Sequence, residues 1–209
     1  MQLIKPKRDE KWGIHAVSEY VPDPREHMDT ANEMIAWMDE NNGKFEGYYA
    51  SGFAIAHCQV AEKPLKLFVV AKELVREEGE GATKLSFIFP ARAIWNAEIV
   101  TAPVKVTRKM PKREVKYENH QAHVEMSLEE KEVMNLYTVK EACMSFPYRN
   151  EKNVERYFRI KVKYQIVEKG LFNRDKITTV TEWVEGLKAH IFQHEIQHFK
   201  GEEIYHKSK

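Results

Sequence analysis

The stretch "HIFQHEIQHFK", His190 to Lys200, holds three of the chain's nine histidines and constrains the fold more than any other segment. Its centre reads H-E-x-x-H, with His194 and His198 four apart and Glu195 between them. On a helix both imidazoles project from one face a turn apart and can share one metal ion. A metal site must hold its ligands closely, and placement on a helix would give them that rigidity. Glu195 would then sit beside the ion without being forced to ligate it. There a carboxylate can take a proton from water and return it to a leaving group. An amphipathic helix with half-exposed histidines fits the same pattern, so a third ligand has to decide.

Cys143, in "KEACMSFPYR", is the natural third ligand. A thiolate with two imidazoles makes a three-ligand site whose fourth position stays open for water or substrate. The alternative for a lone cysteine is a small buried hydrophobe. Cys58 is the only other cysteine, and two are too few for a disulfide framework, which points to a reducing compartment. The charges nearly cancel, 33 Lys and Arg against 32 Asp and Glu, so no global field recommends DNA or an acidic membrane. No stretch approaches the roughly 18 apolar residues of a membrane helix, and the N-terminus has no apolar h-region. A cytoplasmic protein is expected.

The 209 residues, 43% of them hydrophobic, can fill a sizeable core. With no repeat, low-complexity tract or linker, one domain over 1–209 is expected. Met28, Ala31, Met34, Ile35 and Met38 give Met28 to Asn41 one apolar helical face. "KLFVVAKEL" and "KLSFIFPARAIWNAEIV" read as strands, separated by "REEGEGATK" as a charged turn. An arm spans about 101–140, very basic at first, with "MSLEEKEVMNLYTV" as a short helix capped by Ser127. "RYFRIKVKYQIVEKG" alternates as a half-buried strand does, and Gly170 turns the chain toward "KITTVTEWVEG". Trp183 to Phe199 is then the helix with the histidines.

Taken together and in order, "GFAIAHCQV" (Gly52 to Val60), "EACMS" (Glu141 to Ser145) and "QHEIQHFKG" (Gln193 to Gly201) resemble the three marker segments of the peptide deformylases. "FIFPARAI" and "EGLKAHIFQHE" extend the likeness to most of the chain outside the arm. The resemblance implies an α+β fold, mixed and antiparallel strands packed around the C-terminal helix that carries the metal motif. It implies that Cys143, His194 and His198 hold one divalent metal, natively Fe2+, with Zn2+, Ni2+ or Co2+ able to replace it. Glu195 would be general base and then acid. Gln59, with the backbone N–H of Met144, would stabilise the oxyanion developing on the formyl group. Gly52, Phe53, Glu141, Leu187 and His190 would lie along the substrate. The reaction implied is removal of the N-formyl group from the initiator methionine of nascent polypeptides, in a bacterial or phage-infected cytoplasm.

Several positions depart from the family pattern. Ala54 stands for its second glycine, His57 and Cys58 for its Ala-Pro, Ala142 for glycine, and Gln197 for the aspartate between the histidines. Gln59 and Cys143 are 143 − 59 = 84 positions apart, about twice the family's interval, with the excess in the arm. The arm's basic run at 105–116 suits phosphate and could touch the ribosome, although a solvated ribbon explains it as well. Two other functions fit these departures: a metalloamidase of altered specificity, and a non-catalytic protein that binds formylated N-termini or the ribosome.

Overall fold

A computed structural model describes residues 13–41, 54–70, 74–79, 82–87, 92–101, 116–118, 121–123, 136–143, 145–146, 151–170 and 174–205. Helix α1 (Met28–Asn41) is followed by strands β1 (Ala54–Ala56), β2 (Leu67–Val70), β3 (Leu74–Gly79), β4 (Ala82–Phe87) and β5 (Arg92–Thr101). Next come β6 (Lys116–Glu118), β7 (Gln121–His123), β8 (Leu136–Glu141), β9 (Lys152–Tyr157), β10 (Arg159–Lys169), β11 (Asp175–Glu185) and helix α2 (Gly186–Phe199). Among the described residues, five strands form one antiparallel sheet in the order β1-β2-β5-β10-β11, and three hairpins, β3-β4, β6-β7 and β8-β9, lie outside it. This is the α+β architecture expected.

Period-two alternation divides the sheet between two helices. Phe68, Ile94, Val162, Tyr164 and Ile166 face α2, where Phe192, Ile196 and Phe199 meet them. Their neighbours Leu67, Val69, Ala93 and Trp95 face the other way, onto Ala31, Met34 and Met38 of α1. Phe192 lies edge-on to Phe68 with ring centroids 5.4 Å apart, and 5.3 Å from Tyr164. Each fully buried side chain of this size contributes about 1.5–3 kcal/mol relative to exposure. The helix expected to carry the histidines is therefore pinned along its length by aromatic packing.

The segment that leads into α1 is tied down at Val21 by one residue that the sequence did not single out. Asn96 adopts a positive φ of 52° at an irregularity in the β5-β10 register, a conformation that asparagine tolerates better than most residues. Its side chain accepts from the Val21 N–H at 2.9 Å and donates to the Val21 carbonyl at 2.8 Å, as a neighbouring strand would.

Three expectations need correction. "REEGEGATK" is mostly strand: β3 and β4 pair as far as Gly79 and Ala82. Leu136 to Glu141 is a strand paired with β9, where a short helix was expected to reach Val139; the cross-strand partner overrides the local helical pattern. The last helix begins at Gly186, because Trp183 to Glu185 remain paired with β10. The basic run 105–116 lies outside the described residues except for Lys116.

The end of α2 carries a demand of its own. Gly201 N–H bonds to the His198 carbonyl at 3.0 Å and Glu202 N–H to the Gln197 carbonyl at 3.1 Å, a Schellman closure with Gly201 at φ 72°. A Cβ on Gly201 would lie 2.5 Å from the His15 carbonyl oxygen. Gly201→Ala is expected to destabilise the protein by at least about 2 kcal/mol, combining left-handed strain with that clash. Urea unfolding measures it, with exposed Lys200→Ala as a control that should stay within about 0.5 kcal/mol.

Candidate metal centre

Two elements bring the predicted ligands together. α2 supplies His194 and His198, with ring centroids 4.9 Å apart, and the turn after β8 supplies Cys143. The ligand atoms of these three residues all lie within 4.8 Å of one another, and Cys143 Sγ is 3.5 Å from His198 Nε2. Among the described residues they are the one group arranged to hold a metal ion. A thiolate with two imidazoles suits a divalent transition metal better than Ca2+ or Mg2+. Cys58 is fully buried in the 3-10 turn His57–Gln59 but is not among the converging donors.

The pair behind His194 was not foreseen. Glu141 commits its carboxylate to protein partners. Its two oxygens accept from Arg156 Nε and a terminal Arg156 nitrogen, both at 2.7 Å, and Oε2 lies 3.1 Å from His194 Nδ1. A proton on Nδ1 leaves Nε2 of His194 free as ligand, the arrangement by which a carboxylate orients a metal-binding histidine. Burial would raise the Glu141 carboxyl, but Arg156 and His194 outweigh it and hold the group down at about 2. Nothing in "NEKNVERYF" marks Arg156 for this role; its partner is found only once β8 and β9 pair.

Glu195 is buried, and its Oε2 has no hydrogen-bond partner among the described residues. Burial is the main cause that pushes its carboxyl up to about 7. Burial likewise lowers His198, while at His194 hydrogen bonds with Cys143 and Glu141 overcome burial and raise it. Gln193, just before the motif, locks the helix in place. Its Oε1 accepts from Tyr157 N–H at 2.9 Å and its Nε2 donates to the Tyr157 carbonyl at 2.8 Å, so it completes the end of β9.

Gln59 sits at the end of the 3-10 turn with its amide fixed at both ends. Oε1 accepts from the Ala56 N–H at 2.7 Å, and Nε2 donates to Ser145 Oγ at 2.8 Å, inside the cysteine motif. The Ala56 N–H requires an acceptor, which settles the orientation of the amide, and one Nε2 hydrogen remains for another group. His190 is buried on α2 one turn before His194, and Leu187 is half-buried. Gly52, Phe53 and Met144 lie outside the described residues.

His57, beside Gln59, is buried and accepts from the Leu65 N–H through Nδ1 at 2.9 Å. Burial first, and then the charge of His27, bring its pKa down to about 4. The folded state therefore disfavours the proton. The stability involved is fully present above the unfolded value near 6.5 and is lost as pH falls from there toward 4, about 3 kcal/mol in all. Melting temperatures taken between pH 7.5 and 4.5 should fall less steeply for His57→Ala than for the wild type.

The comparisons with known proteins bear on the family and the fold. The profile of the family described as polypeptide deformylase matches residues 8–209. A peptide deformylase structure from Thermotoga maritima is 21% identical, with 98% of this chain and 95% of that one covered and a TM-score of 0.57. A class I type b peptide deformylase from Acinetobacter baumannii, with Met-Ala-Ser bound, is 19% identical over 97% and 96% of the chains, with a TM-score of 0.55. A probable peptide deformylase from Synechococcus phage S-SSM7 is 20% identical over 97% of both, with a TM-score of 0.50. No curated protein is significantly similar. With its profile matched over nearly the whole length, and a Cys-His-His cluster at the heart of the matched fold, the chain belongs to the polypeptide deformylase family.

Proposed function

We propose that this protein is a metal-dependent hydrolase that removes the N-formyl group from the initiator methionine of nascent polypeptides, releasing formate. The observation that carries the reading is the convergence of Cys143, His194 and His198 next to a buried carboxylate, Glu195, whose Oε2 has no partner among the described residues. A solely structural metal site has no use for that carboxylate.

The donor set suits one divalent transition ion, and the resemblance to the family supports Fe2+ natively, with Zn2+, Ni2+ or Co2+ as substitutes. Bound there, the ion supplies Lewis acidity and brings the acidity of water near neutrality. Glu195 takes the proton of the attacking water. As the formyl carbon becomes tetrahedral, the free Nε2–H of Gln59 and the N–H of Met144 stabilise its oxygen. Glu195 then returns the proton to the amide nitrogen, the C–N bond breaks, and formate and a free amine leave.

In this reading Gly52, Phe53, Glu141, Leu187 and His190 are the residues assigned to the substrate, with the Glu141 carboxylate also committed to Arg156 and His194. That the Acinetobacter relative has Met-Ala-Ser bound supports a methionyl peptide as the ligand class. Among the described residues no helix is long and apolar enough to cross a membrane. The substrate would be met in the cytoplasm, with the basic run at 105–116 toward the ribosome.

Formate release from formyl-Met-Ala-Ser by protein purified anaerobically with Fe2+ or Ni2+ tests the reading. Release is the expected result. No release from protein that holds one tightly bound metal per chain would overturn it in favour of a binding protein.

A further inference from the structure

β11 is one edge of the five-stranded sheet, and among the described residues no strand pairs with its outer side. It is 11 residues long, against three for β1 at the opposite edge. Its register with β10 runs unbroken from Arg159↔Glu185 to Lys169↔Asp175, so no bulge twists it away. At both ends of this ladder the even-numbered residues bond inward: Gly186 N–H to the Phe158 carbonyl at 2.9 Å, and the Arg174 carbonyl from Gly170 N–H at 2.8 Å. In an antiparallel ladder these bonded pairs alternate. The odd-numbered residues, Ile177, Thr179, Thr181 and Trp183 among them, therefore turn their N–H and C=O groups outward.

Proteins guard such an edge with lysine, proline, glycine bulges or a short strand. From Ile177 to Trp183 the sequence "ITTVTEW" has no lysine, proline or glycine, its one charge, Glu182, is taken up by Tyr164 and Lys188, and five of its seven residues, ITTVT, form an uninterrupted β-branched run. Trp183 is 47% exposed on the face away from α2, with the Arg159 guanidinium over its ring at 4.6 Å.

We infer that β11 is a self-association edge that pairs antiparallel with β11 of a second copy, around a twofold axis at Val180, to make one continuous sheet through both molecules. This register overlaps the whole strand, 175 against 185. It sets Ile177 across from Trp183 of the other copy, an aromatic against a β-branched residue, and Thr179 across from Thr181, both favourable cross-strand pairs. It matches outward residue to outward residue, so each exchanges both hydrogen bonds. At the two ends Asp175 meets Glu185, but each brings its own cation, Lys169 at 2.6 Å and Arg159 at 3.1 Å. The chemistry required of the occupant is an antiparallel β-branched strand with an aromatic at one end, and the chain's own β11 meets it. Because strand pairing buries little area, the dimer is in exchange with the monomer.

Sedimentation equilibrium on the full chain, from about 1 to 200 µM, is expected to show a monomer–dimer equilibrium with a midpoint above about 1 µM. Thr179→Pro removes an outward N–H and leaves the β10 ladder intact. It should raise the midpoint at least about tenfold, with an unchanged far-UV circular dichroism spectrum as the check on folding. Ile177→Lys, which places a charge against the partner's tryptophan, should do the same should the proline variant misfold. The twofold axis sets Val180 against itself in a non-bonded pair with Cα atoms about 4.5 Å apart, within disulfide reach. Mild oxidation should therefore link Val180→Cys into a covalent dimer and leave Thr178→Cys unlinked. A monomer at every concentration would overturn the inference. So would a dimer that Ile177→Lys leaves unchanged and Val180→Cys does not crosslink, or a chain that stays monomeric and captures an extended peptide of another protein on this edge.

Discussion

Glu195→Gln is expected to lower kcat/KM for formate release by about 10²–10⁴-fold, the range that a positioned general acid–base contributes. The amide keeps the size of the carboxyl but cannot accept a proton from water or pass one to the departing nitrogen. Bound metal should stay near one per chain, because the donors that converge are Cys143, His194 and His198. KM should change little, since the proton is moved on the way to the transition state and not on binding. Nor should the fold suffer: burial already disfavours the charged form of Glu195 and brings its pKa to about 7, so a neutral side chain of the same shape adds no desolvation cost. An enzyme that keeps more than about a tenth of wild-type activity would remove Glu195 from the chemistry and leave it a structural group. Loss of metal together with activity would mean that its carboxylate helps to hold the ion.

The Cys143, His194 and His198 cluster was legible partly through a local rule and partly through the resemblance. A spacing of four on a helix is the same in sequence and in space, whereas Cys143 was set apart from Cys58 by the order of the motifs that resemble the deformylases. α1 was equally open, since its apolar period depends on nothing outside the segment. What stayed hidden depends on pairings between distant strands. Arg156 finds Glu141 only when β9 lies against β8, Ser145 meets Gln59 across 86 positions, and Asn96 reaches Val21 across 75. Leu136 to Val139 misled for the same reason: the segment follows a helical pattern, yet its partner on β9 makes it a strand. Trp183 likewise belonged by periodicity to the final helix, but its pairing with Lys161 keeps it in β11.

The ion pair behind His194 should produce the largest loss of stability. Glu141→Ala leaves the Arg156 guanidinium, 4% exposed, without its carboxylate and deprives His194 Nδ1 of its acceptor. Breaking a buried pair by removing one partner costs about 3–5 kcal/mol, and losing the group that orients a metal-binding histidine weakens the metal by about 10–100-fold. Both are measurable, by urea unfolding of the metal-free protein and by competition with a chelator. Arg156→Met should destabilise too, by a different route: with the guanidinium gone, burial drives the Glu141 carboxyl upward from about 2, and its hold on His194 weakens. The double variant Glu141→Leu with Arg156→Met separates the two functions. An apolar pair of similar volume leaves no charge buried alone, so stability should return to within about 1–2 kcal/mol of wild type. Metal affinity should stay at the level of Glu141→Ala, because His194 still has no acceptor. If affinity recovered together with stability, the pair would serve only to hold the β8-β9 hairpin in place, and the orientation of His194 would have to come from α2 alone.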